Sequence, residues 1–557
     1  MMTIRRSLLL ACALWLCATV ATLRAAQVTT ETREGGATVT RGHMNLALFS
    51  HSENCVTCHN NLTAPSGADI SIGTTWRSTM MGNSGRDPYW QAGVRRETID
   101  HPMHSAAIQD ECAECHMPMS TQVARSAGGK GEVFAHLPIA GDEGAPLDRL
   151  AADGVSCTVC HQISSDRLGT RESFNGEFVL KPTPPDGNRV IFGPYRVDAG
   201  RKTIMRSVTG FAQAEAPHIR QSELCASCHT LITQAFGSNG EVIGSLPEQM
   251  NYQEWQHSDF STREQRSCQS CHMPMVQGPV RMSSVLGDTR ESVARHLFVG
   301  GNAFMVRMLN RYRGELGVAA LPSELEATAA ATVRQLREET ATVAVSAPEV
   351  SGGRLAFDVD VRSLTGHKYP TGYPARRTWL HVTVRNAQGQ AVFESGAVNS
   401  AGAIAGNDND ADPLRYEPHY EEITSADQVQ IYEPILGDRN NQPTTGLLTA
   451  TQYLKDNRLL PRGFDKMTAD PQIGVYGNAL QDADFAGGGD RVRYRVPVPA
   501  GGPFTVEAEL VYQPIGYRWA HNLERYDAPE PKRFVNYYNS MSEASSVVVA
   551  RAVVPAR

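Results

Sequence analysis

The chain has 557 residues, of which 41% are hydrophobic and 20% charged, so it is expected to be a soluble globular protein of two or three domains. Its formal net charge of −7 argues against nucleic acid as a partner.

The N-terminus has the pattern of a secretory signal. Arg5 and Arg6 precede the apolar run 7–20, and small residues follow as far as Ala26. The run is too short to span a bilayer comfortably, so cleavage is preferred over an uncleaved anchor. Residues 1–26 are therefore predicted to be a signal peptide, and their removal takes away three cations and lowers the net charge from −7 to −10.

Ten of the 12 cysteines form five copies of one pattern, C-x-x-C-H, and the other two lie in the signal. The five copies are motif 1 (Cys55, Cys58, His59), motif 2 (Cys112, Cys115, His116), motif 3 (Cys157, Cys160, His161), motif 4 (Cys225, Cys228, His229) and motif 5 (Cys268, Cys271, His272). This spacing lets two thiols add to the vinyl groups of one haem and places the histidine under the iron. Zinc sites and disulfide frameworks do not require a histidine after each pair. The sequence therefore predicts five covalent c-type haems, each with a proximal histidine.

The sixth iron ligand decides whether a haem only carries electrons or also binds substrate. Several histidines within or near this segment are candidates, and His367 lies further along the chain. Two neighbouring methionines are the alternative ligands, although packing against a porphyrin is an equal interpretation. The candidates are His296, His218, His136, His257, His104, His101, His51, His43, His367, Met80 and Met81.

Residues 27–318 are predicted to be an irregular and partly α-helical pentahaem domain, because their core would be largely porphyrin. Helical spacing predicts a helix over 303–316, and a capping box from Ser323 to Glu326 predicts a second helix to about 340. Residues 319–342 are therefore expected to link two domains.

The apolar period changes from helix to strand after about residue 343. Alternation over 355–361, 380–384, 492–498, 504–512 and 546–554 predicts a C-terminal β-sandwich of immunoglobulin-like type over residues 343–557. A long insertion is expected at about 400–490. His367 lies in a loop rich in glycine and proline, where it either makes a loop hydrogen bond or contacts a haem.

Two further features of this half carry alternative interpretations. Arg376 and Arg377 are candidates to neutralise haem propionates, or else they begin a solvated strand. The acidic run 407–412 has oxygen ligands suited to calcium, but it lacks the spacing of an EF-hand, so a solvated loop is preferred.

Several short sequence segments resemble those of known multihaem cytochromes. The segments Trp76-Arg-Ser-Thr-Met-Met, Arg86-Asp-Pro-Tyr, Asp153-Gly-Val-Ser-Cys157, Cys268-Gln-Ser-Cys-His-Met-Pro and His296-Leu-Phe-Val-Gly-Gly are similar to the cytochrome c-554 family. The segments beginning at Thr365 and Lys455 look like the β domain of many exported multihaem cytochromes. The resemblance implies closely stacked haems, mostly with two histidine ligands. Cytochromes c-554 carry four haems and no β domain, so a partner does not carry over.

The sequence therefore predicts an electron carrier in the periplasm or on the outer surface of a bacterial cell. Its expected partners are redox proteins, met either in solution or in a membrane-associated complex. One alternative is an oxidoreductase of a small nitrogen or sulfur compound with one open haem, and another is a subunit of a cytochrome conduit or filament. Surplus histidines and five regular motifs favour the carrier over an enzyme.

Overall fold

The computed structural model of the chain describes residues 44–139, 144–184 and 187–556. The predicted signal peptide and His43 lie outside the described residues. Among the described residues, we find no helix that combines the length and the apolar character needed to cross a membrane.

Short helices dominate the motif-bearing segment, and helices also occur near the C-terminus. The described α-helices are α1 (Ser52–Val56), α2 (Ile72–Arg77), α3 (Pro88–Asp100), α4 (Ser105–His116), α5 (Pro118–Ser126), α6 (Pro146–Ala152), α7 (Cys157–Cys160), α8 (Ala199–Thr209), α9 (Ser222–His229), α10 (Asn251–Gln256), α11 (Asp259–Thr262), α12 (Cys268–His272), α13 (Ala303–Arg311), α14 (Pro322–Glu339), α15 (Asp408–Ala411), α16 (Tyr517–His521) and α17 (Pro529–Asn539).

The two helices predicted after the motifs are present with shifted limits. Helix α13 ends at Arg311 rather than near residue 316. Helix α14 begins at Pro322, and the carboxylate of Glu324 accepts a hydrogen bond from the backbone N–H of Leu321 at 2.9 Å. The capping carboxylate is therefore Glu324 and not the predicted Glu326, which lies two residues further on. The prediction was wrong because Pro322 already occupies the first helical position.

Strands occur in both halves of the chain. They are β1 (Arg189–Gly193), β2 (Phe211–Glu215), β3 (Thr230–Phe236), β4 (Val242–Met250), β5 (Val280–Arg281), β6 (Thr289–Arg290), β7 (Ala341–Val345), β8 (Glu349–Ser351), β9 (Arg354–Ser363), β10 (Arg377–Arg385), β11 (Ala391–Ser395), β12 (Glu422–Ile423), β13 (Ile431–Tyr432), β14 (Pro434–Gly437), β15 (Pro443–Thr444), β16 (Gln452–Asp456), β17 (Gly489–Pro497), β18 (Phe504–Gln513) and β19 (Val547–Ala556).

Two five-stranded sheets form the core of the C-terminal half. One has the order β11-β10-β18-β19 with β13 beside β10, and the other has the order β12-β17-β9-β7 with β8 beside β9. Alternate residues of β9, β10, β17 and β18 are buried together in one apolar cluster, so both sheets contribute a face to the same core. The alternation that predicted these strands is confirmed, and the immunoglobulin-like topology stays a prediction.

The segment 400–490 is more than an insertion. Strands β12 and β13 come from it, and each pairs with a strand of one of the two sheets. Strands β14, β15 and β16 form a third sheet, in which β14 lies between the other two. The expectation of a simple interruption is corrected, because short apolar strands inside this segment complete the sheet edges.

Contacts cross the predicted domain boundaries. The described residues all belong to one compact unit. Helix α17 packs on α3, where Arg95 and Glu530 form an ion pair at 2.8 Å and the rings of Tyr89 and Phe534 lie 4.9 Å apart. The division at 318 and 342 stays a prediction, and the C-terminal half supplies part of the packing around the motifs.

Candidate haem-binding site

Each motif lies on or beside a single helical turn. Motifs 2 and 4 end helices α4 and α9, motif 5 forms α12, and motif 3 forms α7 with His161 directly after it. Residues i, i+3 and i+4 share one face of a helix, so each cysteine pair and its histidine point the same way. All ten thiols are free and partly exposed. This arrangement fits the attachment of one haem per motif.

Backbone carbonyls fix four of the five motif histidines. In each case ring Nδ1 donates to a carbonyl oxygen, and no hydrogen bond among the described residues uses Nε2 of a motif histidine. A donated Nδ1–H sets the tautomer in which Nε2 has a free lone pair for a metal. The pairs are His59 with Met282 at 2.6 Å, His116 with Ser84 at 3.2 Å, His161 with Phe192 at 2.5 Å and His272 with Val299 at 2.5 Å.

Two predicted distal histidines lie opposite motif histidines. The rings of His161 and His296 have centres 6.5 Å apart and planes 20° apart, and those of His272 and His367 are 6.1 Å and 13° apart. A metal–imidazole bond is about 2 Å long and the ring centre lies about 1 Å beyond the nitrogen, so two rings across one iron have centres about 6 Å apart. Both pairs match that spacing. His367 Nδ1 also donates to the Lys368 carbonyl at 2.9 Å.

Burial keeps these imidazoles neutral. Burial, with a smaller contribution from nearby histidines, lowers the pKa of His116 to about 4 and that of His296 to about 3. The pKa of His367 is also lowered, chiefly by burial. A neutral imidazole is the form that binds iron, so the local environment favours coordination at neutral pH.

Cysteines of different motifs lie side by side. The thiols of motifs 1 and 3 are neighbours through Cys55 and Cys157, those of motifs 2 and 4 through Cys115 and Cys228, and those of motifs 4 and 5 through Cys225 and Cys268. Cys160 also lies near Cys228, which joins motif 3 to motif 4. The five attachment sites therefore form one connected group in which motif 4 adjoins motifs 2, 3 and 5, and motif 1 lies beyond motif 3.

Three other histidine candidates already form a hydrogen bond with Nε2. This nitrogen donates to a backbone carbonyl in His104 (Gly240, 2.7 Å), His218 (Ile163, 2.9 Å) and His257 (Asp465, 3.1 Å). None of the three stands opposite a motif histidine in the described chain. They are weaker ligand candidates than His296 and His367, because a bound iron would have to displace a satisfied hydrogen bond.

The remaining histidine candidates differ in their surroundings. His136 Nδ1 donates to Asp148 at 2.7 Å, which is the carboxylate contact typical of a metal-binding histidine. His101 Nε2 lies 3.3 Å from the Thr449 hydroxyl. His51 precedes α1 directly, close to its own motif. The assignment of these three residues to irons stays a prediction.

The two methionine candidates, Met80 and Met81, stay predictions as iron ligands. Met80 packs against the apolar cluster formed by α13, α14 and α17. The backbone carbonyl of Met81 accepts a hydrogen bond from Val155 at 3.0 Å, which ties this turn to the segment before motif 3. Packing explains Met80 without a ligand role.

We compared the chain with known proteins. No family model matches it, and no curated protein matches it. Among solved structures, it is similar to a penta-heme cytochrome c552 from Thermochromatium tepidum, with 16% sequence identity and a TM-score of 0.48. The similarity covers 91% of this chain and 99% of that chain. The site residues are therefore assigned from the motifs and their geometry alone.

The two arginines predicted to meet propionates have different roles. Arg377 begins β10 but is buried, and it donates two hydrogen bonds of 2.7 and 2.9 Å to Asp410. Its charge is already neutralised, so neither alternative, a propionate contact or a solvated strand start, describes this residue. Arg376 donates to the Thr371 carbonyl at 2.7 Å and has no ion-pair partner among the described residues. Its charge contributes to the lowered pKa of both His229 and His367, so it lies near motifs 4 and 5. Because it has no ion-pair partner there, it is available to a propionate.

The predicted calcium run forms the short helix α15. The Asp410 carboxylate accepts hydrogen bonds from Arg377 and from the backbone N–H of Ile404, the latter at 2.8 Å. Asp408 pairs with Arg415, and Glu417 accepts from the hydroxyl of Tyr420 at 2.7 Å. Protein donors thus occupy these oxygens, and the calcium hypothesis gains no support from the geometry.

A second group of metal-ligand residues is buried between the sheets. His419 Nε2 lies 2.9 Å from Asp482 and 3.9 Å from Asp490. The side-chain amides of Gln430 and Asn457 donate to His419 Nδ1, and their own oxygens accept backbone N–H groups, which fixes their orientation. His419 Nε2 therefore carries the proton and donates to the carboxylates, so the group is a hydrogen-bond network rather than a metal site.

A buried ion network lies behind His367. Lys368 donates to Asp456 at 2.7 Å, and Asp456 also accepts from Arg458, which in turn lies 3.0 Å from Glu254. Burial alone would raise the pKa of Asp456, but Arg458 and Lys368 outweigh it and hold that pKa well below its usual range. The network fixes the loop that carries His367, and only the adjacency of Lys368 to His367 pointed to it.

Proposed function

We propose that this protein is an exported electron carrier with five covalently attached c-type haems, supported by two facing sheets of immunoglobulin-like type. The observation that carries the proposal is the set of five motifs, four with a carbonyl-fixed proximal histidine and two with a second histidine at the spacing of a shared iron. Bound haem would supply one-electron chemistry at each motif.

The chain's own residues provide three functions toward these groups. Cysteine pairs on single turns tether each group, and carbonyl-bound Nδ1 atoms orient the proximal rings. His296 and His367 would close the sixth position at motifs 3 and 5, which excludes substrate there. Because cysteines of neighbouring motifs lie near one another, we infer that the sites form a single electron path with a branch at motif 4.

The setting follows from the same chemistry. Thioether attachment of haem takes place after export, and the N-terminal pattern predicts a secretory signal. We therefore place the mature protein in the periplasm or at the outer surface of a bacterial cell, with redox proteins as partners.

The test is the mass and the spectra of the purified mature protein, made with a cytochrome c maturation system. We expect the polypeptide mass plus five haems, and low-spin spectra that carbon monoxide leaves largely unchanged. A mass increase of fewer than five haems would contradict the proposal. A carbon monoxide complex on one haem, with turnover of a small nitrogen or sulfur compound, would favour the oxidoreductase instead.

A further inference from the structure

A tryptophan covers the ring of one motif histidine. The indole of Trp90, on α3, lies parallel to the imidazole of His116 in motif 2, with ring centres 4.4 Å apart and planes 3° apart. Rings at this distance are in stacking contact. Among the described residues, the other four motif histidines have no aromatic ring this close. The proximal side of motif 2 is therefore built differently from that of the other motifs.

The stacked indole leaves the coordinating nitrogen of His116 free. The lone pair of Nε2 points outward in the plane of the imidazole, so a bound metal lies in that plane. The indole lies on the face of the ring and does not occupy this direction. The other ring nitrogen, Nδ1, donates to the Ser84 carbonyl. Trp90 therefore contacts the imidazole without competing with an iron.

The hydrogen bond that orients His116 is the longest of the four carbonyl contacts. Its Nδ1 lies 3.2 Å from the Ser84 carbonyl oxygen, whereas the corresponding distances at motifs 1, 3 and 5 are 2.6, 2.5 and 2.5 Å. A longer hydrogen bond restricts the rotation of the ring less firmly. Stacking supplies a second restraint, because an imidazole that turned out of the parallel plane would either collide with the indole or lose contact with it.

One short segment of the chain holds both contacts of the His116 ring. The Ser84 hydroxyl donates to the His116 backbone carbonyl at 2.7 Å, in addition to the contact at Nδ1. The Asp87 carboxylate caps α3 and accepts from the Trp90 backbone N–H at 3.2 Å. The buried Gln91 side chain donates at 2.7 Å to the backbone carbonyl of the residue after Ser84. The carbonyl and the indole that contact the ring are thus fixed relative to each other.

We propose that Trp90 is a positioning residue that fixes the plane of the proximal imidazole at motif 2. The inference rests on the proposed function. In a low-spin ferric haem, the plane of an axial imidazole selects the iron orbital that holds the unpaired electron, so a fixed plane gives this haem one defined electronic state. Motif 2 adjoins motif 4 through Cys115 and Cys228, so this state governs electron exchange with the branch of the path.

EPR spectra of the oxidised holoprotein test this role, because the g values of a low-spin haem depend on the planes of its axial ligands. Trp90→Leu removes the stacked ring and keeps an apolar side chain. We expect the signal of one haem in five to shift or broaden, and this should be the signal that His116→Ala removes. Trp90→Phe keeps an aromatic face and should restore the parent signal. Trp519→Leu is the matched control, since Trp519 is also partly exposed, packs on Tyr373 at 5.5 Å and faces no motif histidine in the described chain.

The outcomes distinguish this inference from the proposed function. Fewer than five haems per chain in the parent would contradict the proposed function and remove the basis of the inference. Five haems in Trp90→Leu with all five signals unchanged would overturn the role of Trp90 alone. A change of equal size in Trp90→Phe or in Trp519→Leu would also overturn it, because the cause would then be lost volume or general loosening. If Trp90→Leu attaches only four haems, peptide mass spectrometry should place the loss at motif 2, and a loss at another motif would overturn the inference.

Discussion

His296 and His367 reach the two motif histidines that they face from different distances along the chain. His296 follows motif 5 closely and lies opposite motif 3, whereas His367 comes from the loop between β9 and β10 and lies opposite motif 5. The C-terminal half therefore contributes a predicted iron ligand, and this assignment can be tested residue by residue.

Replacing His367 by alanine should open the sixth position at motif 5 alone. We expect one haem in five to become high-spin and to bind carbon monoxide, because the proximal His272 keeps its carbonyl contact. EPR and difference absorbance spectra measure both effects. His257→Ala is the matched control, since its Nε2 donates to a carbonyl and it faces no motif histidine. Equal spectra for the two variants would remove His367 from the ligand set.

Arg376 should raise the reduction potential of the sites beside it. Adding an electron next to a cation is favourable, so Arg376→Gln is expected to lower one or two of the five midpoint potentials by on the order of 50 mV. A spectroelectrochemical titration measures the five potentials. Arg354→Gln, at an exposed position on β9, should leave them in place. Unchanged potentials in Arg376→Gln would show that its charge is screened from both motifs.

At the scale of single residues, the sequence identified site residues only where the chemistry involves neighbours in the chain. The positions of Cys55, Cys58 and His59 follow from covalent attachment by one helical turn, so the five motifs can be read directly. A distal ligand is joined to its iron only through the fold. The sequence around His367 does not predict that it faces motif 5. The sequence around His218 likewise does not predict that its Nε2 donates to the Ile163 carbonyl.

At the scale of elements, strands were predictable where the two faces of a sheet differ in burial. Strand β9 alternates buried residues with exposed or partly exposed ones, and the predicted span 355–361 lies inside Arg354–Ser363. Elements that lack such a contrast were missed. The β3–β4 hairpin lies among the motifs and was not predicted. Helix α17 buries Phe534, Tyr537 and Tyr538 at helical spacing, but it is short and follows an irregular stretch, so it was missed as well.

The loop that carries His367 should depend on the ion network beneath it. Lys368→Met removes one charge from a fully buried group and leaves the Asp456 carboxylate without one of its donors. We expect the free energy of unfolding to fall by about 3 to 5 kcal/mol, as for other broken buried pairs. Guanidinium titrations followed by circular dichroism measure the change.

A surface lysine supplies the control for this prediction. Lys532 pairs with Asp527 in the open, where the two side chains are 63% and 89% exposed. Lys532→Met should therefore change the free energy of unfolding by less than about 1 kcal/mol. A loss of similar size in both variants would mean that the buried network contributes no more than an exposed ion pair.

At the scale of the whole molecule, the two halves of the chain share their packing. Helix α17, which follows most of the β-strands, covers α3 near motif 2, and the loop with His367 lies over motif 5. Periodicity along the chain could suggest two domains, because one half is irregular and the other alternates. It could not show that they interlock, because the contacts join residues far apart in the sequence, such as Arg95 with Glu530 and His272 with His367.

Interlocked halves should unfold together. In a guanidinium titration of the holoprotein, we expect the Soret band and the β-sheet dichroism to follow one transition with one midpoint. Phe534→Ala removes a fully buried ring between α17 and Tyr89, so it should lower the free energy of unfolding by about 3 to 5 kcal/mol and shift both signals equally. Val553→Ala, at a side chain that is 52% exposed, should shift neither by more than about 0.5 kcal/mol. If Phe534→Ala moved the Soret transition and left the dichroism in place, the motif-bearing segment and the β-sheets would be separate folding units, and the contacts of α17 and His367 would not hold the molecule together.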